Sequence, residues 1–281
     1  GRAAQTRMTG HQMSAHPPPI DIAIDDHRIE SDRGRLFARR WAPRLPASRV
    51  PIILLHDSLG SVELWRNFPA ALSTHCARPV IAYDRLGFGR SDAFHGKLAP
   101  DFIATEADTS FAAVCEHFAI DRFILFGHSV GGGMAVHCAA KRPEACAALI
   151  TESAQAFVED RTVQGIEEAS ALFADPAQRE RLAKYHGDKA QWVLDAWIGS
   201  WLSPAFASWS LDQTLPQLRS PLLVIHGSED EYGSPRHPER IVALAGAAAQ
   251  LALMPDTRHV PHREREAEVI ERVSAFLQTV A

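Results

Sequence analysis

"FILFGHSVGGG", residues 123–133, is the stretch that decides the fold. Its first half is an apolar run of strand type, and its second half opens a helix of small residues. Gly127-His128-Ser129-Val130-Gly131 at the junction is G-x-S-x-G between a strand and a helix, the setting of a nucleophile elbow. A serine on so tight a turn stands above the sheet edge, and the flanking glycines leave room for the turn and for close helix packing. The helix aims its first amides, beginning with Val130, at the space beside the Ser129 hydroxyl, where a developing oxyanion would be held.

Outward from the elbow, short apolar runs alternate with longer helical patterns. The runs 51–56, 79–84, 122–128, 147–151, 221–227 and 250–255 read as strands, several of them apolar on both faces. That is the pattern of parallel strands buried between two helix layers. Two earlier strands, 20–25 and 35–42, read as a hairpin. Phe111, Val114, Cys115 and Phe118 recur at helical spacing, as do Val269, Ile270, Val273, Phe276 and Leu277. The expected class is α/β, a mostly parallel eight-stranded sheet flanked by helices.

One interval breaks the alternation. The segment 153–214 holds helical stretches, no convincing strand, and Trp192, Trp197, Trp201 and Trp209. A connection that long inside a compact domain is usually functional or a subdomain of its own. It reads as an inserted helical cap, with residues 20–152 and 215–281 as the core domain and 1–19 as a flexible tail. The cap tryptophans read first as cap core; Trp192, Trp197 and Trp201 are the candidates for lining a substrate pocket.

Bulk properties narrow the function. The chain has 281 residues, a net charge of −5 and no basic stripe, which gives no argument for nucleic acid. No apolar run approaches the ~18 residues of a membrane span. Cys76, Cys115, Cys138 and Cys146 lack metal or redox spacing and read as buried thiols of a reducing compartment, so the expected localisation is cytoplasmic. The glycines of "RLGFG" (85–89) lack the G-x-G-x-x-G frame and read as a structural turn rather than a phosphate loop.

From about residue 20 onward the chain resembles the α/β-hydrolase family, in particular its esterase-like serine hydrolases with a helical cap. "LLHDSLGS" (54–61) resembles the family's oxyanion loop and "YDRLGFGRSD" (83–92) its following turn. "GHSVGG" is similar to the elbow, "HGSEDEYGSP" (226–235) to the acid loop and "DTRHVPH" (256–262) to the histidine loop. A serine needs a base to take its proton, and the base needs an orienting carboxylate. The resemblance implies Ser129 as nucleophile, Asp230 as acid and His259 as base, with the backbone amides of Ser58 and Val130 as the oxyanion hole.

Glu229, Glu231 and Glu152 remain rivals to Asp230. His262 reads as a helix-start residue, and Asp256 as a loop residue. His56 and His226 read as packing residues, and His128 has no proton-transfer role. Two departures stand out. Arg258 replaces the glycine usual before the histidine, and Asp57 replaces the glycine after His56. A carboxylate aimed at an oxyanion site would oppose the charge forming there, so Asp57 is expected to turn away and hydrogen-bond locally.

The implied function is a serine hydrolase cleaving a small-to-medium carboxylic ester or thioester through an acyl-enzyme. Lactonase, perhydrolase, amidase and C–C bond hydrolase chemistry stay open, as does a non-enzymatic ligand-binding protein on the same scaffold. A metal site on Asp256, His259 and His262 lacks any recognised ligand frame. The expected partner is a small-molecule acyl substrate, with no cofactor, metal, nucleic acid or membrane, in a monomer or homodimer.

Overall fold

The computed structural model describes residues 21–44 and 49–280, so the expected tail at 1–19 lies outside the described residues. Eight strands form one sheet: β1 (Ile22–Ser31), β2 (Gly34–Pro43), β3 (Ile52–Leu55), β4 (Val80–Tyr83), β5 (Phe123–His128), β6 (Cys146–Glu152), β7 (Leu222–Gly227) and β8 (Ala249–Met254). Their order is β1-β2-β4-β3-β5-β6-β7-β8. β1 and β2 pair antiparallel, β2 joins β4 antiparallel, and every pairing from β4 through β8 is parallel.

The first hairpin is longer than the apolar runs suggest, extending from Ile22↔Pro43 to Ser31↔Gly34. Asp25, Asp26, His27 and Arg28 interrupt the apolar pattern of β1, but as an edge strand it buries little besides Ile29. Ladder bonds and ion pairs such as Arg39–Asp26 carry this stretch instead.

The central strands are fully buried and divide their side chains between two cores. Ile53, Leu55, Leu125, Leu149 and Val224 face one side with the helices Ser110–His117, Val130–Lys141 and Arg236–Leu244. Ile52, Leu54, Phe126, Ile150 and Ile225 face the other with Phe68–Cys76 and Glu266–Val280. The period-2 alternation of strand side chains produces this division, and it explains why these runs read apolar throughout.

Between β6 and β7 lie the helices Asp160–Leu172, Pro176–His186 and Ala190–Trp201. His186 fastens them to loops at the strand ends: its Nδ1 accepts from the Gly89 amide (2.8 Å) and its Nε2 donates to the Leu59 carbonyl (2.8 Å). Burial pushes the His186 pKa down, which suits a neutral ring with one donor and one acceptor. All four cysteines are buried free thiols. Among the described residues no helix is long and apolar enough to cross a membrane.

Candidate active site

Ser129 sits where β5 turns into its helix, with φ 57° and ψ −122°. A non-glycine residue held at positive φ stores strain that the surroundings must hold in place. Two close approaches do so. A Cβ at Gly127 would stand 2.2 Å from the Gly131 carbonyl oxygen, and one at Gly131 would stand 2.2 Å from that of Leu55. Neither glycine can carry a side chain without moving backbone. The second contact presses the start of the elbow helix against the end of β3, beside the loop that carries Ser58.

Three loops at the C-terminal ends of β5, β7 and β8 then converge, the usual place for a site in such a sheet. His259 Nε2 is 3.1 Å from Ser129 Oγ, and His259 Nδ1 is 2.9 Å from both Asp230 carboxylate oxygens. Asp230 is fully buried and also accepts from the amides of Tyr232 (2.8 Å) and Gly233 (3.2 Å). Burial raises its pKa, but the His259 charge and hydrogen bond, with His226, lower it further, so it stays ionised. Burial lowers that of His259, while the charge and hydrogen bond of Asp230 raise it more, and the balance lies above the ordinary imidazole value.

Of the rival carboxylates, Glu229 is exposed and the other two have other occupations. Glu231 accepts from the His259 amide (3.1 Å) and from Arg258 Nε (2.8 Å), bracing the histidine loop. Arg258 thereby holds the backbone that a glycine would leave free. Glu152 takes the His262 amide (2.8 Å) on one oxygen and the His262 ring on the other. His128 donates from Nε2 to the His259 carbonyl (2.9 Å), and burial holds its own pKa down. His56 is a packing residue, its Nδ1 donating to the Asp57 carbonyl (2.7 Å) while its Nε2 accepts from the Arg85 amide (3.2 Å). His226 likewise donates to the Gly233 carbonyl (2.7 Å).

Asp256, His259 and His262 do not converge on a common point. The two rings address Asp230 and Glu152 respectively, and Asp256 is exposed. The groups whose ligand atoms do cluster are His128, Glu152 and His262, and separately Asp230, Glu231 and His259. Both are already knit by the hydrogen bonds above.

Two cavities open on this arrangement. The larger, about 1040 Å³, includes Ser58 and Val130 and is walled by Leu86, Phe88, Phe102 and Met134. The smaller, about 80 Å³, includes Ser129, His259, Asp57, Gln155 and Tyr232. Trp197 and Trp201 border both. Trp192 borders neither; its ring stacks on Phe94 and its Nε1 donates to the Gly96 carbonyl (2.8 Å). Trp209 packs against Trp201 and Phe206.

Asp57 departs from its expectation. It borders the smaller cavity, and among the described residues its hydrogen bonds all fall on its carbonyl oxygen, none on the carboxylate. The side chain folds over Gly60, where an added Cβ would lie 2.1 Å from Asp57 Oδ1, and the short loop offers it no donor there. Gln155, just past β6, has no signal in the sequence: its Oε1 lies 3.4 Å from Ser129 Oγ. No motif surrounds it, and only the return of the chain beside the elbow brings it near.

A family profile described as alpha/beta hydrolase fold matches residues 50–196, just over half of the chain. The chain belongs to this family. Rat 1-acylglycerol-3-phosphate O-acyltransferase ABHD5 is 35% identical over 117 residues, 40% of this chain and 32% of that protein. The chain thus spans about a third of the length of the first curated relatives it matches. The non-heme chloroperoxidase of Streptomyces lividans is 28% identical over 230 residues, 72% of this chain and 80% of that one. Among solved structures, a bacterial membrane phospholipase A superposes with a TM-score of 0.75 at 20% identity, covering 92% of this chain and 86% of that one. At that identity the likeness speaks for the fold alone.

Proposed function

We propose that the protein is a serine hydrolase acting on a small-to-medium carboxylic ester or thioester. The observation that carries this is the unbroken hydrogen-bond chain from Ser129 Oγ through His259 to Asp230. His259 Nε2 takes the serine proton as Oγ attacks the acyl carbonyl carbon. Asp230 holds the ring in the tautomer that leaves Nε2 free and stabilises the imidazolium that forms. The amides of Val130 and Ser58 receive the oxyanion. Collapse expels the alcohol or thiol, protonated by His259, and leaves the acyl group on Ser129. A water deprotonated by His259 then attacks the acyl-enzyme and releases the acid.

Residues 153–214 act as the cap over this centre, with Trp197 and Trp201 in its wall. The larger cavity takes the acyl chain along Leu86, Phe102, Met134 and Trp201, although Arg85, Glu106 and other charged residues also line it. Labelling by a fluorophosphonate tests the reading: wild type should react at Ser129, and Ser129→Ala should neither react nor hydrolyse any of an ester panel. An unlabelled, folded wild type would favour a binding protein on the same scaffold.

A further inference from the structure

The smaller cavity has an unusual lining for a site that builds negative charge. Asp57 lines it together with Trp197, Trp201 and Tyr232, around Ser129 and His259. The Trp197 and Tyr232 rings meet edge to face at 6.0 Å, and Tyr232 meets the His259 ring at 4.7 Å. His259, which lines the cavity, is paired with Asp230, and among the described residues no salt bridge includes Asp57.

We infer that this cavity is the leaving-group subsite and that it selects a compact cationic alcohol, one carrying an ammonium group held between Asp57 and the aromatic rings. The inference rests on the serine-hydrolase reading above. Three physical arguments support it. First, a carboxylate beside a developing oxyanion opposes the reaction, and a positive charge on the substrate offsets it. Second, aromatic faces attract ammonium groups, and a carboxylate next to them adds charge and a hydrogen-bond acceptor. Third, a cavity of about 80 Å³ admits only a few heavy atoms, which suits a short amino alcohol and leaves the acyl chain to the larger space.

The Asp57 charge also reaches its neighbours. Tyr232 is pushed up to about 12 by burial first, then by the charges of Glu231, Asp230 and Asp57. Arg85 and Arg263 both feel this charge, but among the described residues Arg85 donates to the carbonyls of His56 and Asp57 and Arg263 to that of Leu64, and neither donates to the Asp57 carboxylate. The carboxylate is thus left to a ligand. A neutral alcohol of the same shape would fill the space without meeting it.

The test compares two hexanoate esters of nearly equal shape, 2-(dimethylamino)ethyl and 3-methylbutyl, at about pH 7, where the amine is protonated. Wild type should favour the cationic ester by about tenfold or more in kcat/KM, and Asp57→Asn should bring the ratio to within about threefold of unity. Trp197→Leu should lower the same ratio, and serves if Asp57→Asn does not fold. A wild-type ratio near unity, or one that neither substitution changes, overturns the inference while the hydrolase reading stands. Equal loss on both esters in Asp57→Asn also overturns it, because Asp57 would then act through His259. Hydrolysis of neither ester with Ser129 labelled by fluorophosphonate overturns the inference alone; absence of labelling as well overturns both.

Discussion

Glu152 grips His262 with both carboxylate oxygens, one on the backbone amide at 2.8 Å and one on the ring. The pair is buried behind the site, with the His262 ring against Trp65 and Phe68, while His259 three residues earlier faces Ser129. Two histidines of one short loop therefore have separate tasks. His259→Ala should lose about three orders of magnitude or more in kcat, and some stability as well, since it removes the partner of the buried Asp230. His262→Ala should keep most of kcat while losing about 3–5 kcal/mol of stability, because it strands the buried Glu152 carboxylate. Thermal melts alongside ester kinetics decide between them, and equal kinetic losses would refute the assignment.

The pH profile follows from the direction of the His259 shift. As base, His259 must be neutral, and its pKa lies above the ordinary imidazole value. The acid limb of kcat/KM should therefore be centred above about pH 6.5. Stability runs the other way: the protonated His259–Asp230 pair stabilises the fold fully below about pH 6.5, and that contribution fades as pH rises through the folded pKa. Asp230, held low, contributes above its unfolded value, and this is lost as pH falls toward its folded one. Asp230→Asn should cut kcat by about 10⁴. A limb centred below the ordinary value in wild type would contradict this ordering.

The elbow tolerates no added carbon at Gly131. Its Cβ would lie 2.2 Å from the Leu55 carbonyl oxygen, a backbone atom that cannot swing aside. Gly131→Ala should destabilise by about 1–3 kcal/mol or more and slow fluorophosphonate labelling, by parting the helix start from the Ser58 loop. Wild-type stability and labelling together would show that this contact is not needed.

Gln155 is a weaker neighbour of the nucleophile. At 3.4 Å, its contact with Ser129 Oγ is near the limit of a hydrogen bond. Gln155→Ala should change kcat by less than about tenfold, far below the loss at His259. A loss matching that of His259→Ala would place Gln155 in the chemistry rather than in the cavity wall.

Much of this architecture is legible from the chain alone. Strands β3 to β7 announce themselves as short apolar runs because both their faces are buried, and β8 reads the same way although Leu251 and Leu253 are exposed. Ser129 can be named from the elbow, and Asp230 and His259 from the likeness of their loops to the family's acid and histidine loops. β1 is underread because Asp25, Asp26, His27 and Arg28 break its pattern, and an edge strand has no second buried face to restore it. Gln155, and the bracing tasks of Glu231, Arg258 and Glu152, leave no local trace, because each depends on chain segments far apart in sequence.

Sequence by itself determined most of the sheet and the elbow, because periodicity and turn chemistry act over a few neighbouring residues, and its resemblance to the family pointed to Asp230 and His259. Only the tertiary structure decided which carboxylate meets which histidine: Asp230 with His259, and Glu152 with His262. It alone placed Asp57 at a small cavity with aromatic walls, its carboxylate without a hydrogen bond among the described residues. Such pairings depend on distances of a few ångströms between the ends of separate strands, and those are set by the packing of the whole sheet.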